Sequence, residues 1–236
     1  MQKYALCSPF LPREIRAEIE KAGNMQCIEI PPCDTLPAPV NSHPDMLFFN
    51  PPNSTVTVLS KRYHAVNSRF FEKFAAESLI LDDVALGSEY PSDVPFDAIG
   101  MGSTLYCLEA HTSAEVKKLF HRTVNVKQGY AACSTLILNE ATAITADKSI
   151  AKALSSDGIT VHVISPEGIS LPGYGCGFIG GASAVINGNA IFFGDLKKHP
   201  DGERITEICR TVGINPIDFP HLPLTDYGSI RYLYNN

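Results

Sequence analysis

Read as apolar and polar positions, the chain alternates short strand-like runs with amphipathic helical runs on a repeating schedule. Residues 129–147, GYAACSTLILNEATAITAD, align without a gap on residues 177–195, GFIGGASAVINGNAIFFGD. The 48-position step sets Gly129 on Gly177, Asn139 on Asn187 and Asp147 on Asp195. Each segment predicts a strand, an Asn-containing turn, a second strand and then an acid. After Asp147, Ile150 and Leu154 stand at helical spacing, Asp147 is placed to cap the first turn, and Gly158 ends the helix. Residues 160–165 predict a third strand. After Asp195, Asp201 is the expected cap, Ile205 and Ile208 mark the helix, Gly213 stops it, and 216–220 is the third strand. Both units read as ββαβ.

Two earlier units follow the same order more loosely. Residues 45–51 and 54–60 predict a hairpin, followed by a helix with Phe70, Phe71 and Phe74 and a strand over 78–86. Residues 97–110 hold two short strands. Thr112-Ser113-Ala114-Glu115 reads as a capping box, a helix runs to His121, and 123–128 closes the unit. A further step of 48 from Asn187 lands on Asn235, at the end of a strand over 228–235. Its continuation is found at the other terminus: strand 3–9, a helix from Pro12 to Gly23, and strand 25–31. The pattern therefore predicts a single α/β domain over 1–236, built of five ββαβ units, the fifth stitched from both chain ends and closing a ring as propellers do. An open α+β sheet is the alternative.

Composition narrows the partners. Nineteen Lys and Arg against 25 Asp and Glu give a net charge of −6, and no dense basic run exists, which argues against a nucleic-acid backbone as partner. No apolar run is long enough to span a membrane, and the N-terminus lacks a signal-peptide core. Seven cysteines with no CxxC among them fit free thiols in the cytoplasm better than a disulfide scaffold. No His, Cys and Asp spacing matches a structural metal site, and no cofactor is expected.

Three features carry candidate chemistry. Gly175-x-Gly177-x-x-Gly180 has the dinucleotide spacing, but a strand follows it instead of a helix, so its glycines read as small residues at a crowded hairpin start. Cys133 replaces Gly181 in the repeat, at the start of an inner strand, with Lys127, Gln128 and Tyr130 just before it. A nearby ammonium would favour its thiolate, while a small buried apolar role stays open. His43-Pro-Asp45 and His199-Pro-Asp201 offer acid–base pairs. A cap explains Asp201, which leaves His199 and Asp195 as candidates.

The stretches VKQGYAACS (126–134), LPGYGCGFIGGAS (171–183), GDLKKHPD (194–201), HPDMLFF (43–49) and PLTDYGSI (223–230) resemble those of an uncharacterised bacterial family assigned to the pentein fold. That fold, five ββαβ units about a pseudo-fivefold axis, belongs to the guanidino-group-modifying enzymes: arginine and agmatine deiminases, dimethylarginine dimethylaminohydrolase and amidinotransferases. The resemblance implies a nucleophilic cysteine, a proton-transferring histidine and carboxylates that hold a guanidinium. In those enzymes the cysteine lies on the last unit's strand, but here that strand reads Thr225-Asp-Tyr-Gly-Ser-Ile-Arg and no cysteine follows Cys209.

A displaced site is thereby implied, with Cys133 as nucleophile and His43 or His199 as acid–base. Asp45, Lys127, Gln128, Tyr174, Asp195 and Asp226 would surround a small cationic, guanidinium-type ligand. The enzyme reading expects Cys133 at a cleft mouth within hydrogen-bond reach of a histidine. A non-catalytic protein that binds a small molecule or a protein, as the initiation factor of this fold does, and an interaction protein with an empty cleft are the alternatives.

Overall fold

The computed structural model describes residues 2–235. Its elements fall into five groups of three strands. The chain begins with β1 (Gln2–Cys7), α1 (Arg13–Gly23) and β2 (Gln26–Glu29). The next group holds α2 (Pro44–Leu47), β3 (Phe48–Phe49), β4 (Thr57–Ser60), α3 (Lys61–Val66), α4 (Ser68–Phe71) and β5 (Leu79–Asp82). Then come β6 (Ile99–Met101), β7 (Thr104–Cys107), α5 (Ala114–Lys118) and β8 (Arg122–Asn125). They are followed by β9 (Thr135–Asn139), β10 (Thr142–Thr145), α6 (Lys148–Ser156) and β11 (Thr160–Val163). The chain ends with β12 (Ser183–Ile186), β13 (Asn189–Phe192), α7 (Gly202–Thr211), β14 (Asn215–Ile217) and β15 (Arg231–Asn235).

Each sheet has one grammar. Its first two strands pair antiparallel and its third joins the second in parallel, after a helical crossover. The fifth sheet obeys it with strands from both ends: β15 pairs antiparallel with β1, Gln2 opposite Asn235, and β2 pairs parallel with β1. Parallel neighbours need a crossover, which explains why a helix precedes every third strand. The crossover helices bury one apolar stripe each, such as Ile15 and Ile19 in α1 and Ile150, Ala151 and Leu154 in α6. Complete burial of one such Ile or Leu contributes about 1.5–3 kcal/mol.

The first strands of all five units contribute to one cavity of about 240 Å³, through residues such as Phe49, Ile99, Ile137, Val185 and Tyr232. The residue two places before each first strand is therefore equivalent: Met46, Asp97, Cys133, Gly181 and Ser229. Main-chain bonds link these points, or the residues next to them, between units. Gly181 N donates to Cys133 O, Ser229 N to Gly181 O, and Asp45 N to Gly228 O.

Local details differ from the pattern. The first hairpin opens late because Pro44, with its fixed φ, starts a helical turn over Pro44–Leu47 and leaves β3 two residues long. The aromatic helix is two short helices with Asn67 at the break. Ser113, not Thr112, caps α5, its hydroxyl accepting from Val116 N, while Thr112 donates to Leu108 O. Asn24 takes the left-handed position after α1, with φ of 46°, in place of Gly23. Asp147 caps α6 through Ser149 N and Ile150 N, as the pattern requires. Asp201 stands before α7, but its carboxylate accepts from Ser165 N.

Candidate functional site

Cys133, His43 and Asp226 come from three different units and line one cavity of about 210 Å³. Tyr130, Phe178 and Tyr174 also line it, Tyr174 standing 45% exposed. The Tyr130 and Phe178 rings lie 5.9 Å apart, and the Tyr130 hydroxyl donates to Asp93 at 2.7 Å, which holds that ring in place.

Asp226 organises the floor. Its Oδ2 accepts from Phe178 N and its Oδ1 from Gly228 N, each at 2.9 Å. The Cys133 thiol approaches Oδ2 to 3.7 Å, and His43 Nδ1 lies 3.7 Å from Oδ1. The expected thiol–histidine hydrogen bond is not formed: a carboxylate stands next to both groups. The local backbone makes room for this acid. A Cβ on Gly181 would fall 2.0 Å from Asp226 Oδ1, and one on Gly177 would fall 2.6 Å from its Cβ. Gly228, with φ of 76°, packs on His43, where a Cβ would come within 2.3 Å. The glycine run thus belongs to the packing of Asp226 and to a hairpin start, with no helix opening behind it.

A second buried layer adjoins the thiol. Asp45 and Asp97 are both 0% exposed. Asp97 Oδ1 accepts from Ala132 N at 2.6 Å and from Cys133 N at 3.1 Å, while its Oδ2 and both oxygens of Asp45 have no hydrogen-bond partner. One carboxylate oxygen of each and Cys133 Sγ lie within 4.8 Å of one another.

This concentration of acid governs protonation. Burial pushes the Cys133 thiol well above its ordinary range, and Asp226, Asp45 and Asp97 push it further. Burial also lifts Asp226 to about 6; Asp45 adds to that rise, while His43 and the two amides oppose it. Asp97 is raised by burial and by Asp45, against the pull of Arg231.

The remaining sequence candidates lie elsewhere. His199 is buried, its Nδ1 accepts from Asp201 N, and burial lowers its pKa. Asp195 accepts from Lys197 N and caps the short helical turn over Leu196–Lys198. Lys127 is exposed, and Gln128 lines a separate cavity of about 170 Å³ while its side chain accepts from Tyr130 N. None of the four lines the Cys133 cavity. Asp97 was not anticipated. Its signal lay in the repeat, because it holds the place before β6 that Cys133 holds before β9.

A family model described as a family of unknown function, DUF6873, matches residues 7–231. The chain belongs to that family. No curated protein matches its sequence. Two solved structures place the DUF6873 chain by shape. A variant of DDAH from Pseudomonas aeruginosa complexed with citrulline superposes with a TM-score of 0.58 at 12% identity, over 93% of this chain and 92% of its own. C. jejuni agmatine deiminase superposes with a TM-score of 0.56 at 12% identity, over 100% of this chain and 93% of its own. At this identity the likeness shows the fold, and the fold is that of the penteins. Among the described residues, no helix of this family member is long and apolar enough to cross a membrane.

Proposed function

We propose that this DUF6873 protein binds a small guanidinium or amidinium compound in the cavity over Cys133 and acts on it as an amidinohydrolase or amidinotransferase. One observation carries the reading: a thiol, an imidazole and a buried carboxylate converge on the floor of one aromatic-walled cavity. Asp226 supplies the charge that holds the cation, with Asp45 adding to the field, and the aromatic faces favour a planar cation. Structural likeness to DDAH and agmatine deiminase supports the substrate class through fold alone.

The free thiol is held protonated by its surroundings, so the ligand itself completes the activation. A guanidinium beside Cys133 neutralises the carboxylate field and favours the thiolate. Sγ then bonds to the guanidinium carbon while its proton passes toward His43. The carbon–nitrogen bond breaks as the departing amine takes that proton. Water, or an acceptor amine in a transfer, attacks the S-linked carbon and returns the thiol.

The test is calorimetric titration with arginine, agmatine and methylated arginine, alongside NMR detection of released ammonium or amine. The reading expects binding and release in the wild type, and binding without release in Cys133→Ser. No heat and no release with any guanidine or amidine overturns it. A non-catalytic binding role is favoured by one feature, the raised pKa of Cys133, and is identified by binding with no turnover at any pH.

A further inference from the structure

The buried layer next to Cys133 holds more acid than the reaction above requires. Asp45 and Asp97 are completely buried, and three of their four oxygens have no donor. A buried carboxyl group without partners is costly whether ionised or protonated. The cation that acts on Asp97, Arg231, directs its Nε to Phe48 O and its Nη1 to Ile230 O. One carboxylate oxygen of each acid and Cys133 Sγ, one donor atom from each of three units, lie within 4.8 Å of one another.

We propose that Asp45, Asp97 and Cys133 bind a divalent transition-metal ion of the zinc class. A thiolate in the donor set selects a borderline ion such as zinc or cobalt over magnesium or calcium, and the two carboxylates complete three protein ligands. A fourth position remains for water or for Asp226, whose Oδ2 lies 3.7 Å from Sγ. Binding deprotonates the thiol, and the proton goes to solvent. A metal-bound Cys133 is not available to attack carbon, so the ion and a guanidine substrate compete for the same sulfur. The inference does not depend on the guanidine reading, because its donors and their unpartnered oxygens stand without it.

The experiment uses the full chain, stripped with chelator and titrated with Co²⁺, in a Cys176→Ser background that removes the exposed thiol. A thiolate-to-cobalt charge-transfer band should saturate at one equivalent and vanish on Zn²⁺ addition. Asp45→Asn and Asp97→Asn should each weaken binding by at least the ~10–100-fold typical of losing even an outer-shell partner, and Cys133→Ser should remove the band. Zn²⁺ should also raise the unfolding temperature and protect Cys133 from iodoacetamide. The protection arm needs no substitution in the cluster, so a variant that fails to fold leaves the test decisive. No charge-transfer band, a band that persists in Cys133→Ser, or a labelling rate unchanged by Zn²⁺ overturns the proposal. Guanidine calorimetry on the stripped protein reports separately on the proposed function.

Discussion

Asp226 Oδ2 lies 3.7 Å from Cys133 Sγ, and the same carboxylate's other oxygen lies 3.7 Å from His43 Nδ1. An acid beside a thiol opposes thiolate formation, as burial already does. In the ligand-free protein Cys133 should therefore react slowly with iodoacetamide, its rate still rising above the ordinary thiol pKa of about 8.5. Asp226→Asn removes one opposing charge, and each unit of pKa it releases makes about tenfold more thiolate at fixed pH. Labelling of Cys133 at neutral pH, read by peptide mass in a Cys176→Ser background, should accelerate severalfold in that variant. An unchanged pH profile would show that burial alone sets the thiol.

The raised pKa of Asp226, about 6, has an opposite effect on stability and on ligand binding. The folded state holds this proton more tightly than the unfolded chain, whose carboxyl titrates near 3.9. Between about pH 4 and 6 the folded state thus binds more protons, and stability falls as pH rises through that window. The complete penalty is of order 3 kcal/mol for a shift of this size. Cation binding needs the carboxylate, so affinity for agmatine should increase as pH rises through about 6 and then level off. Thermal unfolding and calorimetry across pH 4–8 check both slopes. Asp226→Asn should flatten the affinity profile and leave Asp97 as the remaining raised carboxyl in the unfolding curve.

The glycine run makes a prediction that separates packing from dinucleotide binding. A methyl group on Gly181 would collide with Asp226 Oδ1 at 2.0 Å, whereas one on Gly175 would meet nothing within 4 Å. Gly181→Ala should destabilise the fold by about 1–3 kcal/mol, the range for overpacking, and weaken guanidinium binding with it. Gly175→Ala should leave unfolding within about 0.5 kcal/mol of wild type. A dinucleotide loop would demand Gly175, the first glycine of that spacing, and would place no demand on Gly181, which lies outside it. Denaturant titration of the two variants decides it, since equal losses would contradict the packing account.

The architecture was legible because its signals are local and repeated. The step from Asn139 to Asn187 to Asn235 marks the ends or turns of three equivalent hairpins, and Asp147 makes the capping bonds that its position implied. The site was legible only in part. Cys133, His43, Asp226 and Tyr174 meet at one cavity, yet His43 and Cys133 lie in different units and nothing in their spacing joins them. His199 and Asp195 had the right residue types, but they lie outside that cavity: His199 Nδ1 accepts from Asp201 N while its Nε2 is unpartnered, and Asp195 accepts from Lys197 N. Asp97 stayed hidden because it stood as the first residue of a span, 97–110, predicted as two short strands, and its role depends on amides of another unit.

The equivalent positions before the five first strands show how a repeating frame separates place from chemistry. Met46, Asp97, Cys133, Gly181 and Ser229 share one structural address and carry an apolar side chain, an acid, a thiol, a bare backbone and an alcohol. Ser229 lies in the unit where the resemblance places the nucleophile of related enzymes. Its φ is 56°, its hydroxyl donates to Ser183 O at 2.9 Å, and it lines the 240 Å³ cavity formed by the first strands, not the cavity over Cys133. Ser229→Ala should therefore cost about 1 kcal/mol for the lost hydrogen bond and leave guanidinium affinity unchanged. For the same reason, Ser229→Cys in a Cys133→Ser background should not restore turnover, because the new thiol would point at the wrong cavity. Ammonium release by that double variant would mean that the frame, more than the cavity, selects the nucleophile, and would move the site back to the last unit.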